Sequence, residues 1–371
     1  MPRRVGLWTV KAVVLLGGEG TRLRPLTYTT PKQLLPVAEV PMLERVLAHL
    51  RAHGVDEAVL SLGYRPDAFT AAYPAGEAAG VRLVYAVEPE PLDTGGAIAF
   101  AAGHAGIDDT FIVVNGDVLT DVDTSALVAF HRSHGAAATL QLTPVEDPSR
   151  FGVVPTDDEG RVLEFVEKPA PGTAVTNLVN AGTYVLEASV LGRIPAGRRV
   201  SVERETFPAL AAEGAVYALA SDAYWLDTGT PLAYLAANRD LVDGTRPGPP
   251  VPGARRLPSG AWAVGDPVVA GSVAGPGLVG DAAVVADGAA VSGSVLGARS
   301  VVASGARVED SVLLPGARVG AASTVRGSIL GRDCVVAEGC ELGPVTVVGD
   351  AWSVPAGEHL VDARVPADMA S

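Results

Sequence analysis

AVVLLGGEGTRLRPLTYTTPKQLLPV, residues 12–37, sets an apolar run of strand type against a glycine turn that is followed at once by Arg22, Arg24 and Lys32. Glycines behind a strand let backbone N–H groups approach phosphate oxygens closely, and an arginine adds a forked contact. The turn lacks the GxxxxGK[ST] spacing of a P-loop NTPase. Gly18, Glu19 and Gly20 are also not followed by the third glycine of a dinucleotide fingerprint. The cations stand out because the 371-residue chain is acidic, with 28 Lys and Arg against 42 Asp and Glu and a formal net charge of −14. Nucleic-acid surfaces need broad basic patches, so a nucleic-acid partner is not expected and an anionic ligand must be met locally.

Lysine occurs only at Lys11, Lys32 and Lys168. Arginine is a planar fork and lysine a compact point charge, so Lys32 and Lys168 are candidates for places where a fork does not fit. The opening MPRRVGLWTV is read as leading into a buried first strand rather than as a signal peptide, because Lys11 interrupts the apolar run. No stretch of about 18 apolar residues occurs, so no membrane span is expected. Two cysteines, Cys334 and Cys340, give no disulfide framework and suit a reducing compartment, with the cytoplasm as the default.

Outward from the opening stretch, short apolar runs such as EAVLSLG and FIVVNGD alternate with helical patterns. In PMLERVLAHLRAHG, Met42, Leu43, Val46, Leu47 and Leu50 share one face and Gly54 ends the helix. The alternation predicts an α/β domain with a Rossmann-like, mostly parallel sheet over residues 1–243, with ligands beyond the carboxyl ends of its strands. GTRPGPPVPGARRLPSG reads as a linker within residues 244–262. The remainder, 263–371, contains an internal repeat: segments starting at Val291, Val308 and Val325 align with a period of 17 residues, so that Val295, Val312 and Ile329 correspond, as do Val302, Val319 and Val336. Aliphatics recurring about every six positions predict a parallel β-helix with three faces per coil. Cys334 and Cys340 then fall on successive faces, too far apart to bridge.

Together GGEGTRLRPLTYTTPKQLLPV (17–37), PLDTGGAI (91–98), NGD (115–117), FGVV (151–154), EKP (167–169), NAGTYV (180–185), SVERETFP (201–208) and WLDTGTP (225–231) make the chain resemble the sugar nucleotidyltransferases, or nucleotide-sugar pyrophosphorylases, over nearly its whole length. The resemblance implies a left-handed β-helix tail and a homo-oligomer. It also implies attack of a sugar 1-phosphate on the α-phosphorus of a nucleoside triphosphate, with pyrophosphate leaving. A phosphate monoester is largely dianionic at neutral pH, its second pKa being about 6, so no protein nucleophile or general base is needed. Positioning and charge neutralisation carry the reaction.

By resemblance, Arg22 stabilises the leaving pyrophosphate, Lys32 contacts the phosphates and Lys168 holds the sugar phosphate. Leu16, Gly17, Gly18, Gly20, Thr21, Glu88, Thr94 and Gly95 line the nucleotide. Asn115, Gly116, Gly152, Glu167, Asn180 and Glu203 meet the sugar, and Asp117 and Asp227 bind Mg2+. An ionised Glu88 only accepts hydrogen bonds, which suits guanine's adjacent N1–H and 2-amino donors, so GTP is the favoured nucleotide; a solvated loop charge is the bland alternative. Asp93 stands where the family usually has glycine. Mannose 1-phosphate is the leading sugar. Thymidylyl, uridylyl or adenylyl transfer to glucose 1-phosphate, and guanylyl transfer to a heptose or cyclitol phosphate, are the alternatives. A second, acyltransferase activity in the β-helix is disfavoured because no histidine lies between Val273 and Leu342. A regulatory nucleotide-sugar-binding subunit is disfavoured because every candidate cation and carboxylate is present.

Overall fold

The computed structural model describes residues 10–367, so all but the last residue of the MPRRVGLWTV stretch lies outside the described residues. The chain divides into two compact units: residues 10–18 with 43–225, and residues 19–42 with 226–367.

In the first unit the strand Ala12–Leu15 lies between Glu57–Leu62 and Phe111–Asn115, parallel to both. Val81–Val87 extends the parallel set beyond Glu57–Leu62. All four strands therefore deliver their carboxyl ends to one edge. Ala12, Val13 and Val14 are buried, as are all residues of Glu57–Leu62, as expected for strands covered on both faces. The other half of the sheet is mixed. Leu178–Leu186 runs antiparallel to Phe111–Asn115 and to Ala138–Pro144, and Val216–Ala220 is parallel to the latter. Helix Met42–Ala52 buries Met42, Leu43, Val46, Leu47 and Leu50, the face that the periodicity indicated, and Gly54 follows at φ 89°. Lys11 is a structural lysine: its Nζ lies 3.2 Å from Glu57 Oε1 and donates to Ala105 O.

The second unit contains the parallel β-helix. Val291 pairs with Val308 and Val308 with Val325; Val295, Val312 and Ile329 form a second ladder, and Val302, Val319 and Val336 a third. These are the correspondences of the sequence repeat. The axis is filled by Leu296, Leu313 and Leu330 from one face, Val302, Val319 and Val336 from the next, and Val308, Val325 and Leu342 from the last, all buried. Stacking successive coils buries aliphatics that no single coil could cover. At the start of the stack, Arg255–Arg256 pairs antiparallel with Trp262–Ala263, and Arg256 lies 3.9 Å over the Trp262 ring, so the end of the linker stretch is ordered as a cap. Cys334 and Cys340 are both free and buried on successive faces. Burial pushes the Cys334 thiol up to about 12, which makes it a packing residue and not a reactive one.

Candidate active site

In the first unit the carboxyl edge of the parallel strands gathers Leu16, Gly17 and Gly18, then Glu88, then Asn115, Gly116 and Asp117. Leu16 is buried, while Gly17 and Gly18 are exposed. Glu88 is no loose loop charge. Its Oε1 accepts from Ser61 Oγ at 2.9 Å and its Oε2 from Leu92 N at 3.1 Å, while its own N–H donates to Leu62 O. A Cβ on Gly17 would sit 3.7 Å from Glu88 Oε1, which places the carboxylate against the glycine turn. Each carboxylate oxygen offers about two acceptor sites, so Glu88 keeps capacity beyond these two bonds.

Asp93 opens helix Asp93–His104 at φ 61°, in the left-handed region where glycine is unstrained. This is the physical sense of its departure from a glycine position. Aspartate tolerates that conformation better than most residues, and here Asp93 Oδ1 also accepts from Thr94 N at 2.8 Å. Gly95 N and Gly96 N donate to Val200 O at 2.8 and 3.2 Å, tying the helix start to the SVERETFP segment.

That tie builds one polar network from residues far apart in sequence. Thr94 Oγ1 donates to Glu203 Oε2 and accepts from Val202 N at 3.0 Å, and Ser201 Oγ donates to the same Glu203 oxygen at 2.9 Å. Tyr184, wholly buried, hydrogen-bonds Glu203 and accepts from Asn180 Nδ2 at 2.8 Å. Burial, then the charge of Glu203, holds the Tyr184 hydroxyl well above its ordinary range, so it stays a neutral donor. Asn180 Oδ1 accepts from Gly182 N at 3.0 Å. Asn115 packs on Gly182, where a Cβ would meet its Nδ2 at 2.5 Å. Thr94, Glu203, Asn180 and Asn115 are thus brought together. Gly152 pairs with Glu167 across an antiparallel bridge, and Lys168, at φ 51°, places Nζ 3.2 Å from Glu167 Oε1.

In the second unit the opening stretch continues as three short 3₁₀ turns, Thr21–Leu23, Leu26–Tyr28 and Lys32–Leu34. Gly20 has φ 66° and no room for a side chain: a Cβ would lie 3.0 Å from Thr27 Cγ2 and 3.1 Å from Lys32 Cβ. The stem of Lys32 is therefore seated on Gly20. Thr21 and Arg22 are exposed. The Arg22 guanidinium lies over Gly229, where a Cβ would fall 2.5 Å from Arg22 Nη2 and 2.9 Å from Asp227 Oδ1. Asp227 Oδ1 also accepts from Gly229 N at 2.8 Å. Arg22 and Asp227 hence converge on one glycine.

Five contributors were not singled out from the sequence. Ser61 and Leu92 N fix Glu88, Tyr184 and Ser201 support Asn180 and Glu203, and Gly229 admits Arg22. Tyr184, Ser201 and Gly229 lie inside the motifs NAGTYV, SVERETFP and WLDTGTP, which was the available signal. Ser61 lies one residue inside the end of a uniformly buried strand, where nothing local separates it from a core serine.

No helix of the described residues is long and apolar enough to cross a membrane. The family model for the nucleotidyl transferase domain matches residues 11–244, and the model for the GMPPB C-terminal domain matches residues 273–366. A mannose-1-phosphate guanylyltransferase of Mycobacterium tuberculosis is 45% identical over 294 residues, covering 76% of this chain and 81% of that protein. A probable mannose-1-phosphate guanylyltransferase of Oryza sativa subsp. japonica is 38% identical over 264 residues, covering 70% and 71%. Among solved structures, HddC from Yersinia pseudotuberculosis complexed with GMP-PN superposes with a TM-score of 0.54 at 29% identity, covering 62% of this chain and 99% of that one. With a strand-edge glycine turn, its following cations and a β-helix tail all in place, the chain belongs to the nucleotidyl transferase family and is a nucleotidyltransferase.

Proposed function

We propose that this chain is a mannose-1-phosphate guanylyltransferase, converting GTP and mannose 1-phosphate to GDP-mannose and pyrophosphate. The names of its relatives support the substrates. The observation that carries the guanine assignment is the fixed Glu88 carboxylate against the Gly17 turn. Its remaining acceptor capacity matches guanine's two adjacent donors, and it would oppose the carbonyl that a pyrimidine sets in that place.

In this reading residues 1–243 form the catalytic domain, 244–262 the linker and 263–371 the β-helix. Leu16, Gly17, Gly18, Gly20, Thr21, Thr94 and Gly95 shape the nucleotide side. The phosphate of mannose 1-phosphate forms a new O–P bond at the α-phosphorus, and the bond to the β-phosphate oxygen breaks. Arg22 meets the charge growing on the departing pyrophosphate, Lys32 neutralises the triphosphate and Lys168 holds the sugar phosphate. Asn180, Glu203, Glu167, Asn115, Gly116 and Gly152 face the sugar. Because Tyr184 anchors Asn180 and Glu203 together, both present fixed polar atoms to hydroxyls.

Asp117 and Asp227 would hold Mg2+. Among the described residues no group of three His, Cys, Asp or Glu forms a protein cage. One or two carboxylates are the donor set of an ion that completes its shell with substrate phosphates and water. When bound, the ion would neutralise phosphate charge and orient the triphosphate. A cytoplasmic homo-oligomer is part of the same reading, and light scattering of the full chain tests its oligomeric side.

Glu88→Gln tests the base assignment. The amide can turn its oxygen to Leu92 N–H and its NH2 to the Ser61 hydroxyl, so the variant keeps the local structure. It should lose roughly ten- to a hundredfold in kcat/KM for GTP, about 1.5–3 kcal/mol, while gaining relative use of dTTP or UTP. An unchanged ratio of GTP to pyrimidine use would remove Glu88 from base selection.

A further inference from the structure

The loop that carries Arg22 and Lys32 is built from short 3₁₀ turns, which have little stability of their own. Its geometry must come from what it packs on. In its own unit that support includes one corner of the β-helix, the turn following each strand of the ladder Val279, Leu296, Leu313, Leu330 and Val348.

The loop touches this corner at two places. At one, a Cβ on Gly349 would lie 3.3 Å from Pro25 Cβ, and the next residue, Asp350, accepts a 2.5 Å hydrogen bond from Thr29 Oγ1 on Oδ2. Asp350 Oδ1 accepts from Arg332 N at 2.7 Å, so the carboxylate is fixed within the β-helix before Thr29 meets it. Thr29 Oγ1 also lies 3.2 Å from Leu26 O, but it has one hydrogen, and the shorter contact to a charged oxygen is the stronger.

At the other place, the hairpin of Pro36–Val37 and Val40–Pro41 turns through Ala38 and Glu39 at φ 43° and 71°. Neither residue is glycine, and each left-handed residue costs about 1–2 kcal/mol. The tip is held from several sides. Tyr234 Oη donates to Pro36 O, Ala38 N donates to Asn238 Oδ1 at 2.7 Å, and Glu39 Oε1 accepts from Ala298 N at 3.1 Å. Burial pushes the Glu39 carboxyl up, against the Ala298 hydrogen bond and the Arg332 and Arg299 guanidinium groups. Between the Ala298 corner and Asp350 the ladder advances three strand spacings, about 14 Å.

We propose that the β-helix is a working part of the nucleotide site: Asp350 through Thr29, and the Ala298 corner through Glu39, are positioning elements that fix the loop bearing Arg22 and Lys32. This rests on the assignment of those two cations to the triphosphate. Misplacement by about 1 Å can cost up to about a hundredfold in rate, so a support remote from the chemistry is legible in kinetics.

Full-length Thr29→Val, Thr29→Ser, Asp350→Ala and the Thr29→Val/Asp350→Ala double variant test it, with GTP and mannose 1-phosphate varied separately and thermal unfolding followed in parallel. Thr29 is exposed and valine is isosteric with it, so the fold is retained. Thr29→Val should lower kcat/KM for GTP about tenfold and leave KM for mannose 1-phosphate within about twofold. Thr29→Ser, which keeps the hydroxyl, should restore the parental value. The double variant should be no worse than Asp350→Ala, because both remove the same bond. A parental enzyme that turns over while Thr29→Val matches it would overturn this inference alone, as would equal losses for Thr29→Val and Thr29→Ser. A parental chain that releases no pyrophosphate with any nucleotide and sugar phosphate would overturn the functional reading, and this inference with it.

Discussion

The sheet unit and the β-helix solve the same problem in opposite ways. The β-helix repeats: Val302, Val319 and Val336 stack because each coil presents the same aliphatic at the same place, and each coil needs only its neighbours. The sheet does not repeat. It uses strand ends to bring Gly17, Glu88, Asn115 and Asp117 to one edge, and then a network through Thr94, Glu203, Tyr184 and Asn180 that joins segments over a hundred residues apart. Regularity gives stability that is spread along the stack, whereas irregularity concentrates chemistry at a few residues. A substitution in the β-helix axis should therefore be felt in stability, and one at the strand edge in turnover.

Leu313→Ala breaks the comparison most strongly. It empties a fully buried axis position between Leu296 and Leu330, and should cost about 2–5 kcal/mol in denaturant unfolding. A loss below about 1 kcal/mol would mean that the coils are not cooperatively packed. Next come Asp117→Asn and Asp227→Asn. Each should reduce Mg2+-dependent pyrophosphate release at least about a hundredfold, roughly 2.7 kcal/mol, with an unchanged unfolding transition. Turnover retained at ordinary magnesium concentrations would remove the carboxylate from the metal role.

Lys32→Arg and Lys168→Arg should each lower kcat/KM about tenfold, near 1.4 kcal/mol. The Lys32 stem is confined against Gly20, and a planar fork cannot occupy the space of an ammonium there. Parental kinetics in both would place them outside the site. The smallest effect is expected for Asp93→Gly. Relief of the left-handed backbone offsets the lost bond to Thr94 N, so unfolding free energy should stay within about 1 kcal/mol. Asp93→Val, with a β-branched side chain at φ 61°, should destabilise by more than that; equal stability of the two would show that backbone conformation does not select the residue.

The same contrast explains what could be read from the sequence. The middle coils of the β-helix were legible to the residue, because a period of 17 written in aliphatics fixes their register, whereas the spacing becomes 16 from Trp262 to Leu278 and 18 from Ile329 to Val347, which that period does not give. The parallel half of the sheet was legible from its apolar runs and turn glycines. Its mixed half was not, since Leu178–Leu186 carries no local mark of its direction. At the site, the motifs named the residues proposed to face ligand but not those that hold them. Glu88 read as an open choice between base reader and solvated charge because Ser61 and Leu92 N reach it only through tertiary pairing. The loop's attachment to Asp350 and Ala298 was equally silent, for it joins positions separated by 321 and 259 residues.

The most direct test of the account is a matrix of GTP, ATP, UTP and dTTP against mannose 1-phosphate, glucose 1-phosphate and a heptose 1-phosphate, scored by pyrophosphate release from the full-length chain with Mg2+. The account predicts the highest kcat/KM for GTP with mannose 1-phosphate. A clear preference for dTTP, UTP or ATP, or for another sugar phosphate with GTP, would contradict it.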